Sequence, residues 1–381
     1  MFKKLLVAIS FCALGMSAAQ AQIKVGVILS MTGPAAALGI PEKQTIDLLP
    51  RTFAGKTVEF IALDDATDPT SAVTNARKLI TQEHVDVIVG PSLTPNSIAL
   101  IDAVTEGETP VISLASSATI VEPMDAKRAW IFKVPQGDAL QADGNVRHMV
   151  KSGVKSFAYI GFADSYGNAY GQEMARAAAA NNVAVVANER YNRNDTSVVA
   201  QALKIIAAKP DAVFIGAAGS PAVLPQATLR ERGYQGKIYQ TNGVTSNEFL
   251  RVGGKAVEGT LLLVTPMLVA EQLPASNPSK KPALEFLAAY EGKFGKDSRS
   301  NFAALSWDAW KILEHALPAA LGKASPGTRE FRKALRDQIE NTKNLPLNTG
   351  VFNYSPSDHS GLVAGDMVWV TIQNNHWKPV Q

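Results

Sequence analysis

Residues 23–30, IKVGVILS, are apolar or β-branched at nearly every position, the pattern of a strand covered on both faces. Thr32, Gly33 and Pro34 then turn the chain. TVEFIAL, a helical stretch from Thr70 to Gln82, VDVIVG, a helix after Pro95 and PVISLAS continue in strand–helix alternation. Alternation with short connections predicts parallel strands joined by right-handed crossovers, hence a doubly wound α/β lobe.

A second series of the same kind starts near Gly137. It comprises a helix to Ser152, SFAYIGF, a helix through Met174, VAVVANE, a helix to Ala208, DAVFIGA, a helix to Arg232 and KIYQTNGV. Two series of similar size predict two lobes built alike, without a sequence repeat that would prove duplication. The tail differs: helical stretches over 281–294, 302–320 and 329–340 precede GVFNYSP and MVWVTIQ, which read as strands. The Pro- and Ser-containing segment MLVAEQLPASNPSKKP is the expected linker.

Ahead of the first strand, Lys3 and Lys4, the apolar run from Leu5 to Met16 and the small-residue box Ala19-Gln20-Ala21 have the build of a cleaved export signal. Residues 1–21 are therefore expected to be removed and the protein to be periplasmic. Lipidation at Cys12 is the weaker alternative, because Phe11 stands where a small residue is needed. Neither this run nor any later one reaches the ~18 uninterrupted apolar residues of a membrane helix. Cys12 is the only cysteine, so a mature chain has no disulfide and no thiolate metal site. The remaining length of roughly 360 residues is more than one core usually spans. The formal charge of +3 includes both leader lysines, and the other basic residues are dispersed, which argues against a nucleic-acid partner.

Catalytic patterns are missing from the sequence. The five histidines are scattered, and there is no G-x-S-x-G elbow, P-loop or dinucleotide-binding glycine motif. No enzyme activity, metal or cofactor is expected. Asp64 and Asp65, adjacent at the end of a predicted strand, read first as loop and helix-capping groups, and second as an acid–base or cation pair. The strand-to-helix junctions carry hydroxyls and amides instead: Ser92, Leu93 and Thr94 in VIVGPSLTPNS, Ala115, Ser116 and Ser117 in VISLASSAT, Tyr166 in ADSYGNAYG, and Thr241 and Asn242 in YQTNGV. Open α/β sheets bind ligands at these carboxyl ends, where hydroxyls and backbone amides suit a carboxylate. The same residues also serve as helix caps or core in proteins without ligands. Ala217, Ala218 and Gly219 leave room, or let the following helix pack closely.

In order along the chain, the leader, KVGVILSMTGPAAALG, ALDDATDPTSAV, IVGPSLTPNS, PVISLASSAT, SYGNAYGQEMARA and GVFNYSPSDHSG resemble the periplasmic leucine/isoleucine/valine-binding proteins of ABC importers. The resemblance covers nearly all of the mature chain. It implies a type I periplasmic binding protein: two doubly wound parallel-sheet lobes joined by a three-crossing hinge, closing on a solute and presenting it to a membrane permease. By that pattern the first lobe takes residues 23–138 and 266–344, and the second 139–265 and 345–381. The implied ligand-binding positions are Leu93, Thr94, Ala115, Ser116, Ser117, Tyr166, Gly219 and Asn242. Asn242 stands where the family carries the acid that pairs with an amino acid's ammonium. The disulfide of some members would fall on Thr67 and Leu93. Without the acid, an aromatic or hydrophobic carboxylate is expected before a branched-chain amino acid or short amide. A monomer is expected, with a ligand sensor of the same fold as the alternative role.

Overall fold

In the computed structural model, residues 22–363 and 367–380 are described. The segment read as an export signal lies outside them. Among the described residues the chain forms two large sheets, each flanked by helices, and a two-stranded ribbon of 345–346 with 351–352. The first has its strands in the order 52–53, 56–64, 23–29, 87–89, 111–113, 131–133. Ile23–Leu29 lies inside it, with Val25 level with Phe60 on one side and Val87 on the other, which explains why seven successive residues contain so little polarity. All pairings are parallel except the short hairpin between 52–53 and 56–64.

The second sheet runs 376–379, 368–373, 261–264, 237–240, 212–216, 156–162, 184–191. Its strands from 156 to 264 are parallel, as expected, but 368–373 and 376–379 join antiparallel at one edge. The strand His376–Pro379 has only short alternation, and its neighbour supplies the pairing that local pattern could not announce.

Helix Ala36–Leu48 is absent from the sequence-based expectation. Gly39 and Pro41 obscure its periodicity. Gly39 is required there, since a Cβ would lie 2.2 Å from the carbonyl oxygen of Ser30. The helix packs through Leu38 and Ile46 into a core shared with Val25, Val27, Phe302, Leu305 and Trp310. The long helix Asn301–Leu321 thus returns to cover the first lobe.

The expected linker is not a loose connection. Met267 and Ala270 pack with Phe286 and Tyr290, while Leu268, Val269 and Leu273 are buried in the second lobe's core. Likewise Leu347, Phe352, Tyr354 and Leu362 are buried with the first lobe, and Val370 and Ile372 with the second. We therefore place the last crossing after Leu362, later than the boundary at 345 drawn from the sequence.

Candidate functional site

The carboxyl ends of both sheets face each other across a cavity lined by residues of both lobes. On the first lobe, strand Val87–Val89 ends at Gly90, whose φ of +100° turns the chain into Ser92, Leu93 and Thr94. Thr94 opens the short helix Thr94–Ala99. Its hydroxyl is buried and, among the described residues, has no hydrogen-bond partner. Leu114, Ala115 and Ser116 follow the next strand and form the adjacent wall. The Ser116 hydroxyl makes no hydrogen bond to any described residue and remains partly accessible, at 9% for the whole residue.

Tyr166 and Asn242 meet these loops from the second lobe. Tyr166 presents its ring but not a free hydroxyl, because that group donates to Thr241 Oγ1 at 3.0 Å. Thr241 Oγ1 in turn donates to the carbonyl of Ala217 at 2.6 Å. Burial holds the phenol far above its usual pKa, so it stays protonated. Asn242 is fixed by its backbone: its carbonyl accepts from Thr245 Oγ1 at 2.6 Å, and its N–H donates to Gln141 Oε1 at 3.4 Å. Its side-chain amide has no hydrogen bond to any described residue.

Six of the expected positions therefore come together: Leu93, Thr94, Ala115, Ser116, Tyr166 and Asn242. Two do not. Ser117 is buried away from the cavity and its hydroxyl donates to Asp138 Oδ2 at 2.8 Å, beside the crossing into the second lobe. Gly219 lies just outside, its N–H donating to the carbonyl of Gly243 at 2.8 Å, and Ala218 and Gly243 line the cavity in its stead. Asp64 and Asp65 take the loop-capping role. Asp64 accepts from Met31 N–H at 2.9 Å and Thr32 Oγ1 at 2.7 Å; Asp65 accepts from Ser30 Oγ and Asn96 Nδ2, both at 2.7 Å. Among the described residues no cluster of histidines, cysteines and carboxylates has the grouping of a metal site.

Sequence reasoning missed Leu38, Phe302 and Leu305, which arrive from elements distant in the chain and make the cavity apolar. It also missed Arg193. This side chain follows strand Ala184–Tyr191, donates from Nε to Asp164 Oδ2 at 2.7 Å and lies with its guanidinium carbon 4.0 Å from the centre of the Phe162 ring. Its terminal nitrogens have no hydrogen bond to any described residue. Asp164 is also the N-cap of helix Ser165–Ala180, accepting from Gly167 N–H at 3.0 Å, so one carboxylate both caps the helix and holds the cation at the site. Among the described residues Arg193 is the one charged residue in the cavity lining, and none of them brings a carboxylate to it.

Comparison with known proteins agrees with this architecture. A family model for the periplasmic binding protein matches residues 22–376. A solved extracellular ligand-binding receptor from Rhodopseudomonas palustris HaA2 is 45% identical, covers 95% of this chain and 100% of its own, and superposes with a TM-score of 0.92. The Leu/Ile/Val-binding protein BraC3 of Rhizobium johnstonii is 23% identical over 343 residues, 88% of each chain. The fold is also that of the substrate-binding protein LivJ from Streptococcus pneumoniae, solved with isoleucine, at 20% identity and a TM-score of 0.78 over 94% of this chain and 98% of that one. With two α/β lobes, an interlobe cavity at their strand ends and a family match over almost its whole length, the chain belongs to the periplasmic binding protein family.

Proposed function

We propose that the protein is the extracytoplasmic solute-binding component of an ABC importer and carries a small hydrophobic or aromatic carboxylate to its permease. The observation that carries the ligand reading is the charge of the lining, which among the described residues comprises one guanidinium, two hydroxyls without partners, and no carboxylate. A desolvated ammonium needs a charge-assisted acceptor, a contribution of about 1.5–3 kcal/mol that Asn242 does not supply. A carboxylate finds donors at Thr94, Ser116 and Arg193. Leu38, Leu93, Leu114, Phe302, Leu305 and the Tyr166 ring surround the space an apolar body would fill. The basic and apolar leader, residues 1–21, supports export to the periplasm, where we take the protein to shuttle as a monomer between solute and permease.

The test is calorimetry with benzoate, cinnamate, leucine, isoleucine and acetamide. Binding of an aromatic acid with no heat from the amino acids is the expected result; binding of leucine alone overturns the ligand reading. A branched-chain amino acid is the second reading, favoured by the names of the relatives and by the aliphatic walls of the cavity. Asn242→Asp separates the two, because a carboxylate at that position would admit an ammonium and repel an acid.

A further inference from the structure

Behind the wall formed by Ser92 lies a group that binding alone does not explain. Glu42, on the inner face of helix Ala36–Leu48, is completely buried. A hydrogen bond joins its Oε2 to Ser92 Oγ, and its Oε1 has no partner among the described residues. Ser92 Oγ also accepts from the backbone N–H of Ser30 at 3.1 Å, and Ser92 lines the cavity.

A serine hydroxyl has one proton and two lone pairs. With Ser30 N–H occupying one lone pair, the state of Glu42 decides what Ser92 offers the cavity. If Glu42 is ionised, Ser92 gives its proton to the carboxylate and only a lone pair is left for a ligand, which an anion avoids. If Glu42 is a neutral acid, it donates to the second lone pair and the Ser92 proton turns to the ligand. We propose that Glu42 is a positioning residue, held as the neutral acid, whose donation to Ser92 Oγ makes the Ser92 hydroxyl a donor to the carboxylate of the bound solute.

The surroundings favour that state. An ionised carboxylate with one oxygen buried and unpartnered is costly. Burial, with the nearby charge of Asp65, pushes Glu42 well above the usual carboxylate range against the effect of the Ser92 bond. Asp65 comes from the loop after strand Lys56–Asp64 and is itself tied to Ser30 and Asn96. The loop from Gly90 to Thr94 brings no ionisable group. Helix Asn301–Leu321 meets helix Ala36–Leu48 through the apolar Phe302 and Leu305 and a hydrogen bond from Thr45 Oγ1 to the carbonyl of Ala303 at 3.0 Å. No cation from these elements is positioned to hold Glu42 as an anion. Binding of an acid then favours proton retention at Glu42, and affinity weakens as pH rises through its titration.

This inference rests on the carboxylate reading of the site, and two arms of the experiment keep the failures apart. Infrared difference spectra of the ligand-free protein, wild type minus Glu42→Gln, are expected to show the C=O stretch of a protonated carboxyl near neutral pH. Should Glu42→Gln not fold, Ser92→Ala serves instead by shifting that band as the acid loses its acceptor. Affinity for benzoate is then measured. Glu42→Gln, whose amide still donates to Ser92, is expected within about threefold of wild type, whereas Ser92→Ala loses about tenfold, the loss of one hydrogen bond. A carboxylate band alone in the infrared, or benzoate binding at least about tenfold tighter in Glu42→Gln, overturns the proposal, since either means that Glu42 is ionised and competes for Ser92. No acid binding to wild type at all would defeat the carboxylate reading first.

Discussion

Among the polar side chains of the first lobe, position by a single residue separates ligand chemistry from architecture. Ser116 faces the cavity, while Ser117 faces Asp138. Thr94→Val together with Ser116→Ala should weaken benzoate binding by about tenfold or more in a titration, and Ser117→Ala should leave affinity unchanged while lowering stability by about 1 kcal/mol. A loss of affinity from Ser117→Ala would place that hydroxyl in the site after all. Asp308 makes a different kind of prediction. It is fully buried in helix Asn301–Leu321, and burial raises its carboxyl from 3.8 to about 7 despite donation from Thr349 N–H and Oγ1 and from Asn348 N–H. Between those values the folded protein holds a proton that the unfolded chain releases, so stability falls as pH rises from about 4 to 7 and levels off above. The fall attributable to this group is ~2–4 kcal/mol. Asp308→Asn puts a donor opposite Asn348 N–H or Thr349, and so lowers stability overall. It should nonetheless remove that part of the pH slope in urea titrations, and an unchanged slope would assign it to another group.

The elements that matter to function are those whose ends are forced to stop. Strand Val87–Val89 ends at a glycine because a Cβ on Gly90 would lie 2.0 Å from the carbonyl oxygen of Ile28 and its φ of +100° disfavours side chains. Gly90→Ala should cost at least ~2 kcal/mol and lower the melting temperature, by moving the loop that carries Ser92, Leu93 and Thr94. A melting temperature equal to wild type would show that the strand end gives way freely. Such ends explain what was legible in the sequence. Leu93, Thr94, Ala115, Ser116, Tyr166 and Asn242 all follow strands with strong apolar runs, so local pattern placed them at the right end of each sheet. Ser117 and Gly219 fell just outside because the pattern marks a loop without saying which of its residues turns inward. Arg193, Leu38 and Phe302 were hidden for another reason. Arg193 looks like an ordinary loop cation until Asp164 and Phe162 are seen to hold it, helix Ala36–Leu48 is masked by Gly39 and Pro41, and Phe302 reaches the cavity from a helix far along the chain. Strand 368–373 was legible in MVWVTIQ, but its antiparallel pairing and the partner strand 376–379 were not, since pairing direction is a property of neighbours.

At the scale of the molecule, Leu93, Thr94, Tyr166 and Asn242 are each under a tenth exposed although they come from opposing lobes, so the lobes stand closed on one another. Release of a solute held between such walls is expected to proceed by rotation of the lobes about their crossings. Small-angle scattering should therefore give a larger radius of gyration for the free protein than for the protein saturated with benzoate; identical values would mean that the free form rests closed. The interleaving of the two cores also sets an order of events during synthesis. One face of the first lobe's sheet has its core within residues 28–131, but the other joins Ile23 to Val134 with Phe302 to Leu362, whereas the second lobe's core is nearly complete in the continuous stretch from Ala142 to Leu273. The lobe that begins the chain must wait for its last strands and helices to leave the ribosome, and the lobe that begins later can finish first. Limited proteolysis of chains arrested at increasing length would reveal the second lobe as the earlier resistant fragment. Until Leu362 has emerged, any chaperone or translocation machinery meets the opening third of this protein as an unfinished surface.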